Sequence, residues 1–151
     1  LISASCRLGA IIGKAPLSQE DALTAYGKKL GYAFQITDDT LDYAADQKQL
    51  GKVLGKDLAE GKVTLPLIYA IRKAAPEEKS RLNEILQAEA MTDADLNYTI
   101  GIMEKYDTVN EALAVAQAFS DGAKADLNVF PDSSPRQALL ALADYVVQRE
   151  M

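Results

Sequence analysis

Asp38, Asp39 and Asp42 close the stretch GYAFQITDDTLDY, which otherwise reads as an apolar helix. Residues four apart share a helix face, so Asp38 and Asp42 point the same way, about 6 Å apart along the axis at ~1.5 Å per residue. Phe34 and Gln35 lie one turn before Asp38, roughly on that face. Asp39 is rotated by about 100° and reaches the face only from the side, or supports it. Like charges at this spacing oppose helix formation. A divalent cation between them reverses the sign, and oxygen-only ligands suit a hard ion, with Mg²⁺ the default. Asp38 and Asp42 are therefore the candidate metal ligands. An EF-hand loop running from Asp38 to Gln49 is excluded, because it has no glycine at its sixth position and no glutamate at its twelfth.

The segment that follows carries the opposite charge. Lys52, Lys56 and Lys62 are interleaved with Gly51, Gly55 and Gly61 and with Asp57 and Glu60. Glycines let backbone approach a ligand closely, and lysines act as point charges for phosphate oxygens. Taken alone, the segment reads as a mobile charged connection rather than a ligand loop. Placed after two carboxylates suited to a hard cation, it completes a set of groups fitted to a diphosphate.

These groups need a scaffold. The helix carrying the aspartates extends from about Gln19 to Ala45, with Ser18 as its expected N-cap and acidic residues in its first turn. Ala22, Leu23, Tyr26, Leu30, Ala33, Phe34 and Ile36 make it apolar on too many sides for a surface helix, which places the carboxylates at the mouth of a core. A solvated acidic helix end is the plainer alternative, and the apolar run argues against it. Gly27 and Gly31 favour close helix packing. Upstream, Leu1–Ile12 reads as a buried helix. Downstream, Thr64 and Pro66 open a short helix, Pro76 opens an amphipathic one, and Thr92–Asp95 and Thr108–Glu111 are capping patterns. The stripe Ala112, Leu113, Ala116, Phe119, Ala123, Leu127 and the face Leu139, Leu142, Ala143, Val146, Val147 complete the helices, the last capped by Ser133 or Ser134 with Pro135 as its first residue. No segment alternates with period two, so the fold class is all-α, with six or seven helices and antiparallel bundle packing.

Composition narrows the function. The net charge of −6 argues against a nucleic-acid surface. The absence of histidine removes the commonest transition-metal ligand and general base. Cys6 is the only cysteine, which precludes an internal disulfide and fits a reducing cytoplasm; its apolar setting reads as structural. No apolar run reaches the ~18 residues of a membrane span.

The pattern Phe34-Gln35, Asp38-Asp39, Asp42, Gly51-Lys52, Gly55, Asp57-Leu58, Glu60-Gly61-Lys62, Thr64-Leu65-Pro66-Leu67 resembles the second aspartate-rich region of trans-polyprenyl diphosphate synthases, most nearly the bacterial octaprenyl and decaprenyl branch. Ser5-Cys6, Leu8-Gly9-Ala10 and the closing Ala143-Asp144-Tyr145-Val146-Val147-Gln148-Arg149 are also similar, so the resemblance covers essentially the whole chain. It implies an isoprenoid-synthase-like helical bundle. Such enzymes also carry a first DDxxD motif and a basic segment, which do not occur here; residues 1–151 are expected to be the C-terminal half of a larger enzyme, its N-terminal half absent.

The implied activity is a transferase that condenses an allylic diphosphate with isopentenyl diphosphate to give a long-chain polyprenyl diphosphate, with Mg²⁺ as cofactor. By the same resemblance Asp38 binds metal directly, Asp42 directly or through water, and Asp39 supports them. Lys52 and Lys62 contact the allylic diphosphate, and Phe34 and Gln35 belong to the substrate site. Asp57 orients the lysines, and Lys56 receives no role. The isolated chain is expected to be inactive and, with unpartnered apolar stripes, to form a homo-oligomer, a homodimer being the commonest form. A noncatalytic subunit of a heteromeric synthase and a class I terpene cyclase are the alternatives. The intact aspartate and lysine set opposes the first. Three aspartates, where a cyclase mixes Asn or Asp with Ser/Thr and Glu, oppose the second.

Overall fold

A computed structural model describes residues 1–44, 55–88 and 90–148. Those residues form α-helices and one 3₁₀ turn, and no strand occurs among them. In chain order the helices are α1 (Ile2–Ile12), α2 (Leu17–Ala44), α3 (Lys56–Ala59), α4 (Leu65–Lys73), α5 (Pro76–Gln87), α6 (Asp93–Lys105), α7 (Thr108–Asp126, continued by the 3₁₀ turn Leu127–Val129) and α8 (Ser134–Gln148). The count exceeds the six or seven expected because α3 is a four-residue helix inside what reads as a loop. The chain divides into two compact units, Leu1–Thr37 with the stretch from Ala114, and Asp38–Leu113. Both α2 and α7 contribute residues to each.

The first unit packs around Tyr26, Leu30 and Ala33 of α2, Ala123 of α7, Leu127, and Ala143 and Val146 of α8. Small residues on α7 and α8 bring the helices close enough for side-chain hydroxyls to reach a neighbour's carbonyl. Tyr26 Oη donates to Leu139 O at 2.8 Å, and Ser120 Oγ to Ala143 O at 2.7 Å. Each such bond is worth roughly 1 kcal/mol net and costs more if broken inside the core. Burial pushes the Tyr26 phenol up to about 12, with Cys6 adding to the shift, so it stays a donor at neutral pH. Lys29 Nζ bridges to both Asp126 carboxylate oxygens at 2.7 Å.

Gly27 decides how closely α1 meets α2. A Cβ there would lie 2.8 Å from Ser3 Cα and 2.8 Å from Cys6 Sγ. Gly31 is different: its Cβ would meet only Ile2 side-chain atoms, the nearest at 3.8 Å. Cys6 is half-buried, and burial raises its thiol.

The second unit packs around Tyr43, Leu58, Leu67, Ala70, Ala74, Leu82, Ile102 and Met103. Glu78 anchors it on the outside. Its carboxylate accepts from Lys105 Nζ at 2.6 Å, Tyr106 Oη at 2.7 Å and the Ala75 amide at 3.0 Å. The Lys105 bond, then those of Tyr106 and Ala75, hold this carboxyl down to about 2 from an ordinary 4.5.

Several helix ends differ from the sequence reading. α2 begins at Leu17, and the Pro16 carbonyl takes the Gln19 and Glu20 amides, so Ser18 lies inside the first turn. Thr108 also lies inside its helix. Its hydroxyl turns back to Met103 O at 3.4 Å, Asp107 takes the left-handed conformation with φ 53°, and Glu111 pairs with Lys73 at 2.7 Å. The capping pattern there is therefore not used as one. At Thr92 it is: Thr92 Oγ1 accepts the Asp95 amide while Asp95 Oδ2 accepts the Thr92 amide, both at 3.2 Å. Ser133 caps α8 as expected, its Oγ accepting the Arg136 amide at 3.4 Å, but the helix starts one residue before Pro135, with the Ser133 carbonyl accepting from Gln137. Leu142 is 44% exposed, and Leu140 packs on the core in its place. Leu142 is turned by about 100° from Ala143, the centre of the buried face.

Gly27→Ala is expected to lower stability by about 1–3 kcal/mol through overpacking, despite alanine's better helix propensity. Gly31→Ala should raise it by about 0.5–1 kcal/mol. Thermal unfolding of both variants checks the contrast. A second expectation concerns Glu78. Its folded value lies below the unfolded one, so its contribution is complete above pH 4.5 and is lost as pH falls toward about 2. Denaturant titrations from pH 6 to pH 2 should show the stability gap between the wild type and Glu78→Gln close across that window. A gap unchanged at pH 2 would assign the effect to packing instead.

Candidate functional site

The aspartates occupy the last turns of α2. Asp38 is exposed, Asp39 and Asp42 are half-buried, and the intervening Thr40 and the following Tyr43 are buried. The helix therefore presents its carboxylates outward while Tyr43 holds its end in the core of the second unit. Asp38 and Asp42 keep the one-turn spacing that puts them on a common face.

Asp42 receives the returning chain. Its backbone carbonyl accepts from the Gly55 amide at 3.1 Å, and its Oδ2 accepts from the Asp57 amide at 2.8 Å. Gly55 is the N-cap of α3 with φ 70°, a conformation that disfavours side chains, and a Cβ there would lie 2.6 Å from Leu96 Cδ1. The backbone position required for Asp42 to cap α3 is thus available to glycine. Leu58, fully buried, pins α3 into the core.

Lys62 completes the arrangement. Its amide bonds Asp57 O at 2.9 Å, and its Nζ meets Asp57 Oδ1 at 2.5 Å and Glu60 Oε2 at 3.4 Å. The Asp57 hydrogen bond raises the ammonium above its ordinary value, so it is charged throughout the physiological range. With 56% of its side chain exposed, the ammonium stays accessible to a ligand. Contacts thus run without a break from Asp42 to Asp57 to Lys62. Lys52 lies outside the described residues.

Spacing assigns no role to Tyr43, and to Thr64 only that of opening α4. Their hydroxyls bond at 2.9 Å in a buried setting. Thr64 sits at the N-cap of α4 without capping it through its side chain. Burial pushes the Tyr43 phenol up to about 12; the Thr64 bond works against this, and Asp42, Asp57 and Asp39 add to it. The only available signal was a tyrosine next to Asp42 on a helix whose other faces are apolar.

Phe34 and Gln35 belong to the first unit. There they line a cavity of about 490 Å³ with Leu1, Ile2, Gly27 and Lys28. Phe34 is 39% exposed, less buried than its apolar run suggests.

Among the described residues no three His, Cys, Asp or Glu side chains converge on one point. The donor set nevertheless fits a hard cation. Mg²⁺ takes one or two carboxylates and completes its shell with water and phosphate oxygens, and Asp38 and Asp42 are the residues that would supply such a pair. Committing one Asp42 oxygen to an amide leaves the other oxygen's lone pairs for a ligand.

A family model described as polyprenyl synthetase matches residues 1–103. The chain belongs to that family. It is 39% identical over 150 residues to the short chain isoprenyl diphosphate synthase of Methanothermobacter thermautotrophicus, covering 99% of this chain and 46% of that protein. Its backbone matches a decaprenyl diphosphate synthase from Rhodobacter capsulatus with a TM-score of 0.90 at 39% identity, over 99% of this chain and 46% of the other. It also matches the polyprenyl synthase of Caulobacter crescentus, crystallised with calcium and isoprenyl diphosphate, with a TM-score of 0.87 at 36% identity, over 98% and 45% of the two chains. The architecture is the helical fold of these synthases, and the chain spans about half the length of the relatives it matches.

Asp42→Ala is expected to cost about 0.5–2 kcal/mol by removing a helix cap, whereas Asp42→Asn keeps an acceptor oxygen and should lose less. Urea unfolding of the two variants distinguishes them. Equal losses would mean that the Asp57 amide does not depend on the Asp42 oxygen.

Proposed function

We propose that the chain supplies the second metal and diphosphate half-site of a prenyltransferase that joins an allylic diphosphate to isopentenyl diphosphate. The reading takes residues 1–151 as the C-terminal half of that enzyme and its product as a long-chain polyprenyl diphosphate. Its main support is the continuous link from Asp42 through Asp57 to Lys62, in a chain of the polyprenyl synthetase family.

In this reading the allylic C–O bond breaks, leaving an allylic cation and diphosphate. The isopentenyl double bond attacks the cation, and a proton is lost from the adduct. This route requires no protein nucleophile. Its task is electrostatic: charge that develops on the leaving oxygens must meet preorganised positive charge. Lys62, and Lys52 by resemblance, would supply ammonium groups to the diphosphate. Asp57 limits where the Lys62 ammonium can be. Asp38 and Asp42 would hold Mg²⁺, with Asp39 in support, and the ion would supply Lewis-acid charge to the departing diphosphate. Phe34 and Gln35 would contact substrate.

Two further features are part of the proposal. Leu8, Ile11, Ile12 and Leu17 are all at least 50% exposed, and covering such apolar side chains is the support for a homo-oligomer. The lone cysteine supports a reducing, cytoplasmic setting. No helix among the described residues is long and apolar enough to cross a membrane.

Incorporation of radiolabelled isopentenyl diphosphate tests the reading. A full-length parent should form product, and its Asp38→Ala variant should lose ~10²-fold or more in kcat, by analogy with removing one electrostatic stabiliser. Asp39→Ala should lose less, and the 151-residue chain alone should form none, because groups acting as a unit fail together. Equal small losses at Asp38 and Asp39 would refute the shared-face assignment.

A further inference from the structure

We propose that Tyr43 and Thr64 are positioning residues whose buried hydroxyl–hydroxyl bond sets where Lys62 presents its ammonium group. This rests on the reading of Lys62 as a diphosphate contact and extends it to two residues that touch neither metal nor substrate.

The Thr64 hydroxyl is not used in the usual way. Threonine at a helix N-cap ordinarily accepts a backbone amide of its own first turn. Thr64 holds that position for α4 but makes no such bond. It is 5% exposed, and its Oγ1 lies 2.9 Å from Tyr43 Oη. The local cap is replaced by a cross-link to α2, one residue beyond Asp42.

That cross-link is the downstream end of a bracket. Upstream, the Gly55 and Asp57 amides bond Asp42 at 3.1 and 2.8 Å. Between them Leu58 is fully buried and shares a core with Tyr43. Lys62 lies inside the bracket, two residues before Thr64, with its amide on Asp57 O at 2.9 Å. A long, flexible side chain is useful to a leaving group only if its backbone is held; ångström-scale misplacement is costly even when it originates away from the chemistry. Asp42 holds one side of the segment and the Tyr43–Thr64 pair holds the other. Tyr43 is 7% exposed, so replacing it with phenylalanine removes the bond while keeping the ring in the core.

Backbone amide exchange on the 151-residue chain, with titration of inorganic diphosphate in MgCl₂, tests this. In Tyr43→Phe and Thr64→Val the Lys62 amide should exchange about tenfold faster, the effect of losing one typical hydrogen bond. Amides of α5 and α6 should keep their rates. Affinity for magnesium diphosphate should fall by a similar factor, and Thr64→Ser, which keeps the hydroxyl, should restore both. Unchanged exchange at Lys62, or acceleration at α5 and α6 to the same degree, overturns the positioning role. Faster exchange with unchanged diphosphate affinity confines the pair to structure and also overturns it. If a full-length parent also binds no magnesium diphosphate while Lys62 exchange still responds to Tyr43→Phe, it is the reading of Lys62 as a ligand contact that fails.

Discussion

The acceptance of two backbone amides by Asp42 is the interaction on which the rest of the site depends. Gly55 and Asp57 lie against the end of α2, and α3 has to be held there. What it needs is an acceptor at a defined place. The Asp42 carbonyl and carboxylate provide two, for Gly55 and Asp57. A bond from an amide to a carboxylate is charge-assisted and roughly twice as strong as a neutral one. A carboxylate that reads as a metal ligand is thus also the cap of a four-residue helix too short to be stable alone. These duties are compatible because a carboxylate has two oxygens and one amide occupies only one of them.

The same economy appears in Asp57. Its amide goes to Asp42, its carbonyl to the Lys62 amide, and its carboxylate to the Lys62 ammonium. An exposed ion pair of this kind contributes little to stability. Its value is in direction, since it confines a lysine that would otherwise sample many rotamers. Asp57 therefore connects the acidic end of α2 to Lys62.

In the first unit small residues and inward-facing hydroxyls join the helices alongside the large apolar side chains of the core. Gly27 admits Ser3 and Cys6, and Tyr26 and Ser120 spend their hydroxyls on carbonyls of α8. Close backbone approach makes those bonds short, and the buried alanines of α7 make close approach possible. A helix pair built this way is intolerant of an added methyl group at its narrowest point.

Sequence alone determined the helical class, the carboxylate-bearing end of α2 and the family, because these depend on local periodicity and on a long run of residue types at set spacings. Asp38 and Asp42 share a face in any helix, and the Thr92–Asp95 box closes within four residues. Tertiary structure decided what spacing cannot encode: which partner a polar group chooses when several are within reach. Thr64 and Thr108 both occupy capping patterns, yet one hydroxyl goes to Tyr43 and the other to Met103 O. Asp42 takes an amide fifteen residues away. Gly27 and Gly31 are alike in sequence, but only Gly27 faces a backbone atom of α1 at close range. Each of these outcomes depends on distances between segments remote along the chain, which exist only once the helices have packed.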